Sequence, residues 1–498
     1  MAKLKRVLAG ALSLCMVGSM LTACGDSSSS SDSKSSSSKK DSSAAASSSA
    51  DSSTADSSKA ESKEVKSADD DKKIVIHCWN TEFKERLDKY YPNNGKYEVE
   101  TEEYEKKNDD GSTTKLTQIK KLNGKEVVWV QNANEGSNYQ DKLDEALRAN
   151  ASASADEKVD MFLIEADYAM KYINGGVTTP VTDLGIGDDD LKDQYKYTQD
   201  VATDTDGNLN GVSWQATPGC FMYNAVYAKE VLGTDEPDKV QEFVKDWDTF
   251  KDTAAKMKDK GIAMLAGFDD AYRVFSNNAS APWVTDEKVQ IDPQLKAWAE
   301  QTKEFTDKGY NNKSSLWSPE WAACQKIDGK TFGFFFSTWG IAFTLKGNTG
   351  AEGNGKWRAC AGPQSYFWGG TWMCATKDIN SQAEVADIMR TITCNKDVMK
   401  KITEGEQDYT NNKAAIKEIV DGGYKFDFLG GQNHIALLAD QADKIDLTGK
   451  LTAYDQDCNE KFQAAMKDWF LGNTKSYDDA VAAFKTEVTK KNANLKFD

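Results

Sequence analysis

From residue 72 onward, short apolar runs alternate with stretches whose apolar residues recur at helical spacing. Residues 74–78 form a mainly apolar run that is typical of a buried parallel strand. Phe83, Leu87 and Tyr90 follow at intervals of three or four residues, which places them on one face of a helix. The first part of this region therefore predicts a strand followed directly by an amphipathic helix.

Further units of the same kind follow along the chain. The predicted strands span 127–130, 159–164, 211–223, 262–268, 331–336 and 372–376, and the clearest predicted helices span 247–260, 385–393, 459–471 and 476–490. Between the first two units, residues 98–125 form a polar insertion that predicts a β-hairpin with its turn at 109–111. Strands that alternate with helices predict an α/β fold.

The N-terminal segment predicts export and anchoring. A basic start precedes the apolar residues 7–20, which are too few to cross a bilayer comfortably as a helix. The sequence Leu-Thr-Ala-Cys-Gly at 21–25 then resembles a bacterial lipobox, in which Cys24 carries the lipid. Residues 1–23 are expected to be a lipoprotein signal peptide, and 24–71 the lipidated cysteine with a serine-rich, disordered tether. An ordinary secretory signal that contains a cysteine is the alternative.

Composition excludes several classes of protein. Of the 498 residues, 39% are hydrophobic and 35 are glycine, which is ordinary for a globular chain and rules out full disorder. The formal net charge of −17 makes a nucleic-acid binder a poor expectation, because phosphate backbones are bound through Lys and Arg. The only histidines are His77 and His434. The chain therefore has too few histidines for a three-His zinc site and very few for a His-based triad.

The cysteines of the body indicate neither a zinc ribbon nor a redox pair. After Cys24, seven cysteines remain at 78, 220, 324, 360, 374, 394 and 458, and no two of them form a Cys-x-x-Cys pair. Because most lie among apolar residues, they are expected to be small buried hydrophobic side chains.

Several short motifs together resemble a known family. They are the lipobox, the serine-rich tether, Trp-Asn-x-Glu-Phe at 79–83, and Gly-Lys-x-Phe-Gly-Phe-Phe-Phe-Ser-Thr-Trp at 329–339. In this order they resemble the extracellular solute-binding proteins of carbohydrate ABC importers, the group of the maltose-binding protein. The resemblance implies a two-lobed, periplasmic-binding-protein-like α/β fold, with three chain crossings and a sugar-binding cleft between the lobes.

The resemblance also implies where the chain crosses between lobes. The crossings are expected near 213–216, 330–334 and 361–364. Lobe one would then comprise 72–213 with 334–361, and lobe two 214–333 with 362–498.

A sugar cleft needs aromatic rings for the C–H faces of the ligand and carboxylates or amides for its hydroxyl groups. In open α/β sheets such groups sit in loops that follow the strands. The candidates in the first part of the chain are Trp79, Asn80, Glu82, Glu165 and Asp167. Those in the second part are Trp214, Asp269, Asp270, Tyr272, Trp317, Trp321, Trp339 and Trp368. The competing interpretations are helix capping for Asn and Asp, a solvated turn at 269–273, and core packing for the tryptophans.

Two other motifs resemble known binding loops but lack a residue that binding requires, and we call them decoys. Residues 350–356 resemble a phosphate loop, but Trp357 stands where a magnesium-binding Ser or Thr is required. Residues 206–211 imitate the start of a calcium loop, yet its twelfth position is Thr217 and not a bidentate Glu. Neither a metal nor a cofactor is therefore expected.

The leading hypothesis is a monomeric binding protein on the outer face of the cell membrane. It would be held by its lipid alone and would deliver an oligosaccharide to ABC permease subunits. A secreted, tryptophan-rich glycoside hydrolase with paired carboxylates is one alternative, although the order of elements shows no eight-fold βα barrel. A binding protein for peptides or another non-sugar solute is the other.

Overall fold

Strands form where short runs of β-branched and aromatic residues can be buried, and helices form where apolar residues recur on one face. The computed structural model describes residues 66–67, 71–107 and 111–497. The strands are β1 Lys73–Cys78, β2 Val99–Lys107, β3 Thr113–Leu122, β4 Lys125–Gln131, β5 Met161–Glu165, β6 Val212–Ser213, β7 Cys220–Asn224, β8 Leu265–Gly267, β9 Val284–Thr285, β10 Lys288–Val289, β11 Asn311–Ser314, β12 Gly333–Phe336, β13 Trp357–Cys360 and β14 Thr371–Ala375.

Helices cover most of the remaining chain. They are α1 Glu82–Tyr90, α2 Asn138–Ala149, α3 Ala169–Ile173, α4 Asp188–Leu191, α5 Lys196–Asp200, α6 Ala225–Leu232, α7 Pro237–Gln241, α8 Trp247–Asp259, α9 Tyr272–Asn277, α10 Pro293–Lys308, α11 Pro319–Cys324, α12 Lys346–Thr349, α13 Gln382–Thr393, α14 Lys396–Glu406, α15 Lys413–Asp421, α16 His434–Ala442, α17 Asp455–Phe470 and α18 Tyr477–Lys491. A π-helical turn, Gly340–Leu345, leads into α12.

A seven-stranded sheet with the order β2-β3-β4-β1-β5-β14-β6 forms the centre of lobe one. Its middle strands β4, β1 and β5 run parallel, whereas β14 lies antiparallel to both β5 and β6. The polar insertion forms the antiparallel hairpin β2–β3, as predicted.

A three-stranded antiparallel sheet with the order β12-β7-β13 forms the centre of lobe two. The short strands β8 and β11 pair with each other in parallel beside it. The helices α7 and α16 contact β13, and α10 contacts α17. The prediction of a mixed α/β fold is confirmed.

Three chain segments connect the two lobes, and backbone hydrogen bonds join them to one another. The first is 214–219, between β6 and β7; the second is 366–370, before β14; the third is 407–412, between α14 and α15. Ala216 N–H donates to Tyr409 O over 3.0 Å, and Trp368 N–H donates to Thr217 O over 3.1 Å. We refer to these three segments as the crossing segments.

Strand pairing corrects the expected division of the chain between the lobes. The first crossing segment overlaps the expected position at 213–216. Residues 334–361, expected in lobe one, lie in lobe two instead, because β12 and β13 both pair with β7. Conversely, β14, expected in lobe two, belongs to the large sheet of lobe one. The expected crossings at 330–334 and 361–364 are therefore wrong: both stretches lie within lobe two, where Gly362 N–H donates to Gln241 Oε1 of α7.

The single strand predicted over 211–223 is also wrong. Two short strands, β6 and β7, replace it, and they belong to different sheets with a crossing segment between them. A continuous apolar run does not reveal this break, because both the strands and the segment between them are buried.

The buried side chains form two clusters. One lies between the large sheet and α1, α13 and α14, and the other extends from the opposite face of that sheet into lobe two. All seven cysteines among the described residues are unpaired, and six of them are buried, as expected; Cys394 is half-buried. The signal peptide, Cys24, nearly all of the tether and most of the hairpin turn lie outside the described residues.

Trp214 tests how firmly the first crossing segment is held in the core. Its fully buried indole packs on Phe83 with ring centroids 5.4 Å apart. We expect Trp214→Ala to lower the free energy of unfolding by about 3–5 kcal/mol, because it leaves a cavity. Urea denaturation measures this change, with the half-buried Trp469→Ala as a control that loses less. An unchanged unfolding free energy together with weaker ligand binding would show that Trp214 serves the ligand instead.

Candidate functional site

The carboxyl end of β1 begins the part of the site that lies in lobe one. Trp79 is half-buried and meets Tyr139 edge to face, with ring centroids 5.5 Å apart. Asn80 Oδ1 accepts a hydrogen bond of 3.1 Å from the backbone N–H of Glu82, the first residue of α1. Asn80 thus shapes the start of the helix, which was the competing interpretation of this residue, while the Trp79 ring remains partly accessible.

Glu82 links this edge of the sheet to the first crossing segment. Gln215 Nε2 donates to Glu82 Oε1 over 3.0 Å, and the guanidinium of Arg86 lies 3.6 Å from the same oxygen. Burial, together with the negative charge of Asp408, raises the pKa of Glu82 to about 7. Near neutral pH this carboxyl group can therefore both donate and accept hydrogen bonds.

Arg86 ties α1 to the third crossing segment. Its Nε and Nη2 donate to Asp408 Oδ2 over 3.2 and 3.0 Å, and its Nη1 lies 3.6 Å from Glu406. Burial alone would lower the pKa of the guanidinium, but the charges of Asp408, Glu82 and Glu406 outweigh burial and raise it. A buried cation with several carboxylate partners stays charged, so this contact fixes α1 relative to the crossing segment.

A second group of charges connects the lobes directly. Asp167 follows β5 in lobe one, and Arg273 lies in α9 of lobe two. The guanidinium donates two hydrogen bonds of 2.5 Å, one to each Asp167 oxygen. Glu165, at the end of β5, accepts a hydrogen bond of 2.9 Å from the backbone N–H of Asp167. Burial, followed by the charge of Asp167, raises the pKa of Glu165 to about 8.

Four of the predicted tryptophans meet in lobe two, and we call them the tryptophan cluster: Trp317, Trp321, Trp339 and Trp368. Trp317 stacks on Trp339 at an interplanar angle of 23°, with centroids 5.9 Å apart. Trp321 lies 5.3 Å from Trp317, and Trp368 lies 5.0 Å from Trp339. Trp321 and Trp368 are buried, while Trp317 and Trp339 are half-buried. The buried pair supports the two rings that can receive a ligand.

The tryptophan cluster rests on the crossing segments. Trp339 Nε1 donates to the carbonyl oxygen of Trp368 over 2.8 Å, and Thr217 Oγ1 donates to the carbonyl oxygen of Gly369 over 3.0 Å. Gly369 has a φ of 74°, and a Cβ there would lie 3.1 Å from Trp339 Nε1. This position therefore favours glycine in both conformation and space. Any movement of the second crossing segment would shift the Trp339 ring.

Three predicted ligand residues of lobe two have hydrogen-bond partners within the lobe. Asp270 is buried, and its Oδ1 accepts a 2.9 Å hydrogen bond from Trp321 Nε1. Asp269 is half-buried and accepts from the backbone N–H of Leu316 over 3.2 Å. Tyr272 is buried, and its hydroxyl donates to Asn459. In this structure Asp270 and Tyr272 are thus buried against partners within the lobe, and Trp214 is fully buried beside Phe83.

The structure thus brings together Trp79, Glu82, Glu165 and Asp167 at one edge of lobe one, and the tryptophan cluster beside the crossing segments in lobe two. A small cavity of about 80 Å³, lined mostly by residues of lobe two, adjoins Asp167 and Arg273. The sequence interpretation missed Gln215 and Arg86, which contact Glu82, and Asp408, which accepts the hydrogen bonds of Arg86. No local motif marks these residues, because they come from three distant parts of the chain.

The surroundings of His77 and of the calcium decoy are also clear in the structure. His77 is buried in β1, and burial lowers its pKa to about 4, in keeping with a packed core residue. Asp204 accepts hydrogen bonds from Asn208 and Asn210, so its carboxylate closes the loop of the calcium decoy. Over residues 66–67, 71–107 and 111–497, no His, Cys, Asp and Glu side chains are grouped to hold a metal ion. No helix in the same described ranges is long and apolar enough to span a bilayer.

A sequence profile described as bacterial extracellular solute-binding protein matches residues 114–425. None of the curated protein sequences matches the chain.

Solved structures with the same fold are numerous. A crystal structure described as extracellular solute-binding protein family 1 is 16% identical, covers 85% of this chain and 100% of its own, and has a TM-score of 0.67. The ABC transporter associated binding protein from B. animalis subsp. lactis, in complex with beta-1,6-galactobiose, is 18% identical over 86% and 100% of the two chains, at a TM-score of 0.62. The galacto-N-biose-/lacto-N-biose I-binding protein from Bifidobacterium longum, in complex with lacto-N-biose, is 16% identical over 75% and 91%, at 0.58.

At these identities the likeness concerns the fold, and the expected two-lobed solute-binding architecture is confirmed. The profile and these neighbours describe binding proteins and not enzymes, in agreement with the binding function expected from the sequence.

The raised pKa of Glu165 predicts how stability depends on pH. Its folded-state pKa of about 8 lies above the ordinary 4.5, so between these values the folded protein holds more protons than the unfolded chain. The stability contributed by Glu165 is complete below pH 4.5 and is lost as pH rises to about 8.

We therefore expect Glu165→Gln, which keeps the uncharged shape, to flatten the decline in melting temperature across this range. Glu145→Gln, on the exposed side of α2, is the matched control. A decline as steep as that of the wild type in Glu165→Gln would contradict the assignment.

Proposed function

The chain belongs to the bacterial extracellular solute-binding protein family, and we propose that the solute it binds between its lobes is an oligosaccharide. The observation that carries this proposal is the tryptophan cluster. Its half-buried rings, Trp317 and Trp339, are stacked on each other and supported from behind by buried rings. Aromatic faces of this kind suit the C–H faces of sugar rings.

The edge of lobe one supplies the complementary chemistry. Trp79 offers a further ring, and the half-buried carboxyl groups of Glu82 and Glu165 offer oxygens to sugar hydroxyls. Each carboxyl group is already oriented by one hydrogen bond, from Gln215 and from the Asp167 backbone respectively. Rings from both lobes favour a ligand of several sugar units over a monosaccharide.

Two structural neighbours support the choice of ligand class. One was solved in complex with beta-1,6-galactobiose and another in complex with lacto-N-biose. Those ligands belong to those proteins; for this chain, the argument is that its candidate site presents aromatic and carboxyl groups suited to the same kind of molecule.

We further propose that the lobes close over the ligand. The Asp167–Arg273 pair joins lobe one to lobe two in the present conformation, while the crossing segments remain connected in any conformation. Closure by hinge rotation would shift an existing equilibrium between open and closed states. Lobe one then comprises 72–213 with 371–406, and lobe two 220–365 with 413–497.

The same proposal includes the cellular setting. A lipid on Cys24 would hold the protein on the outer face of the cell membrane, and the serine-rich tether would let the lobes reach the ABC permease subunits. The lipobox-like sequence at 21–25 supports the anchor, and family membership supports the permease as partner. The protein would act there as a monomer.

Trp339 provides the sharpest test of the ligand class. We expect Trp339→Ala to weaken oligosaccharide binding by about 1–3 kcal/mol, or roughly 5- to 150-fold, by analogy with the loss of base stacking on an aromatic side chain. Trp339→Phe should lose less, because it retains a ring. Trp469→Ala, on α17, is the control and should bind as the wild type does.

Calorimetry uses ladders of linear gluco-, galacto-, manno- and xylo-oligosaccharides, each from the monosaccharide to the hexasaccharide. Equal affinity for a monosaccharide and its longer chains would refute the oligosaccharide proposal. Binding of a peptide pool with no binding of any sugar would refute the sugar class altogether.

Cys24 tests the anchor separately. Because lipid attachment needs its sulfur, Cys24→Ala should release the protein into the medium or leave it unprocessed. Membrane fractionation followed by immunoblotting measures the change, and Cys15→Ala, within the predicted signal peptide, is the matched control. A Cys24→Ala protein that still partitions with membranes as the wild type does would contradict the anchor.

A further inference from the structure

Phe343 is unusually exposed for its size. Its side chain is 72% exposed, compared with 48% for Leu471 and 47% for Val226, the other large hydrophobic residues at the surface of the described chain. A single exposed apolar residue needs no explanation by itself. The position of Phe343 close to Trp339 in the chain is what points to a role in binding.

Phe343 lies one helical turn beyond Trp339. The π-helical turn Gly340–Leu345 begins directly after Trp339, and Phe343 is the fourth residue onward. Residues four apart on a helix lie on the same face, about 5–6 Å apart at their Cβ atoms. π-helical turns are rare and are often found at functional sites.

The burial pattern agrees with this placement. Ile341, Thr344 and Leu345 are buried, whereas Trp339 is half-buried and Phe343 is exposed. Ile341, Thr344 and Leu345 thus form the inner side of the turn. Trp339 and Phe343 share its outer side, and the Trp339 ring also stacks on Trp317.

We propose that Phe343 is an outer stacking subsite, which receives a sugar ring beyond the one that rests on Trp339. This inference depends on the proposed function and adds to it a residue that sets the preferred chain length. The spacing of about one helical turn is comparable with the length of one sugar unit. Lys346, three residues further on and exposed, places its Nζ 5.5 Å from the centre of the Phe426 ring, and its N–H groups can also donate hydrogen bonds to sugar hydroxyls.

Continuity with the tryptophan cluster favours a sugar as the occupant of this face over a permease subunit. A protein partner requires a patch of contact area, whereas a sugar ring requires one aromatic face and nearby donors. Phe343 supplies the face and Lys346 supplies donors.

The experiment compares Phe343→Ala with the wild type on the same four oligosaccharide ladders, by calorimetry. For chains long enough to reach the subsite, we expect the variant to bind about 5- to 150-fold more weakly, and for shorter chains as the wild type does. Phe343→Trp should restore the affinity for long chains. Leu471→Ala, which removes another exposed apolar side chain elsewhere, should change nothing.

The outcomes separate this inference from the proposed function. If the wild type binds a ladder and Phe343→Ala binds every chain length equally well, the subsite is refuted and the oligosaccharide function stands. If Phe343→Ala keeps its affinity but loses uptake through the permease, the residue serves docking, and the subsite is again refuted. If the wild type binds none of the ladders, both fail. Because Phe343 is exposed, the melting temperature of Phe343→Ala should equal that of the wild type. Any loss of affinity is then local to the subsite and not a result of unfolding.

Discussion

The hydrogen bonding among the crossing segments is the constraint on which the rest of the structure depends. The two sheets do not pair with each other, so the lobes are aligned by three segments whose backbones are bonded side by side. Side chains of the candidate site attach to these same segments. Gln215 holds Glu82, and the second crossing segment holds Trp339. A rotation at the crossing segments would therefore move the rings and the carboxyl groups at the same time.

Two ion pairs of different character connect parts of the structure near the crossing segments. Arg86 is buried among Asp408, Glu406 and Glu82, and removing one partner of such a group typically costs about 3–5 kcal/mol. The Asp167–Arg273 pair is partly exposed, and partly exposed pairs typically contribute about 1 kcal/mol or less. The first is suited to a permanent connection between α1 and a crossing segment. The second is weak enough to break and form as the lobes open and close.

Local sequence patterns predicted the secondary-structure elements well, but they predicted poorly which elements pair with one another. The strand β1 and helices α1 and α8 followed from hydrophobic spacing, because that spacing depends only on neighbouring residues. The placement of 334–361 failed because apolar character does not reveal which sheet a strand joins. At the site, each member of the tryptophan cluster was named from the sequence, but the sequence did not reveal that Trp214, Asp270 and Tyr272 are buried against partners within the protein. Phe343 was missed because it lies in an apolar run, and only the fold shows which of its residues face outward.

Closure of the lobes over an oligosaccharide is tested most directly by small-angle X-ray scattering. The protein is measured alone and with a saturating concentration of the oligosaccharide that binds best in the calorimetric ladders. The account predicts a smaller radius of gyration with the ligand, together with a scattering curve that fits the closed arrangement in which Asp167 meets Arg273. An unchanged radius of gyration at saturation, with binding verified in the same sample, would contradict it.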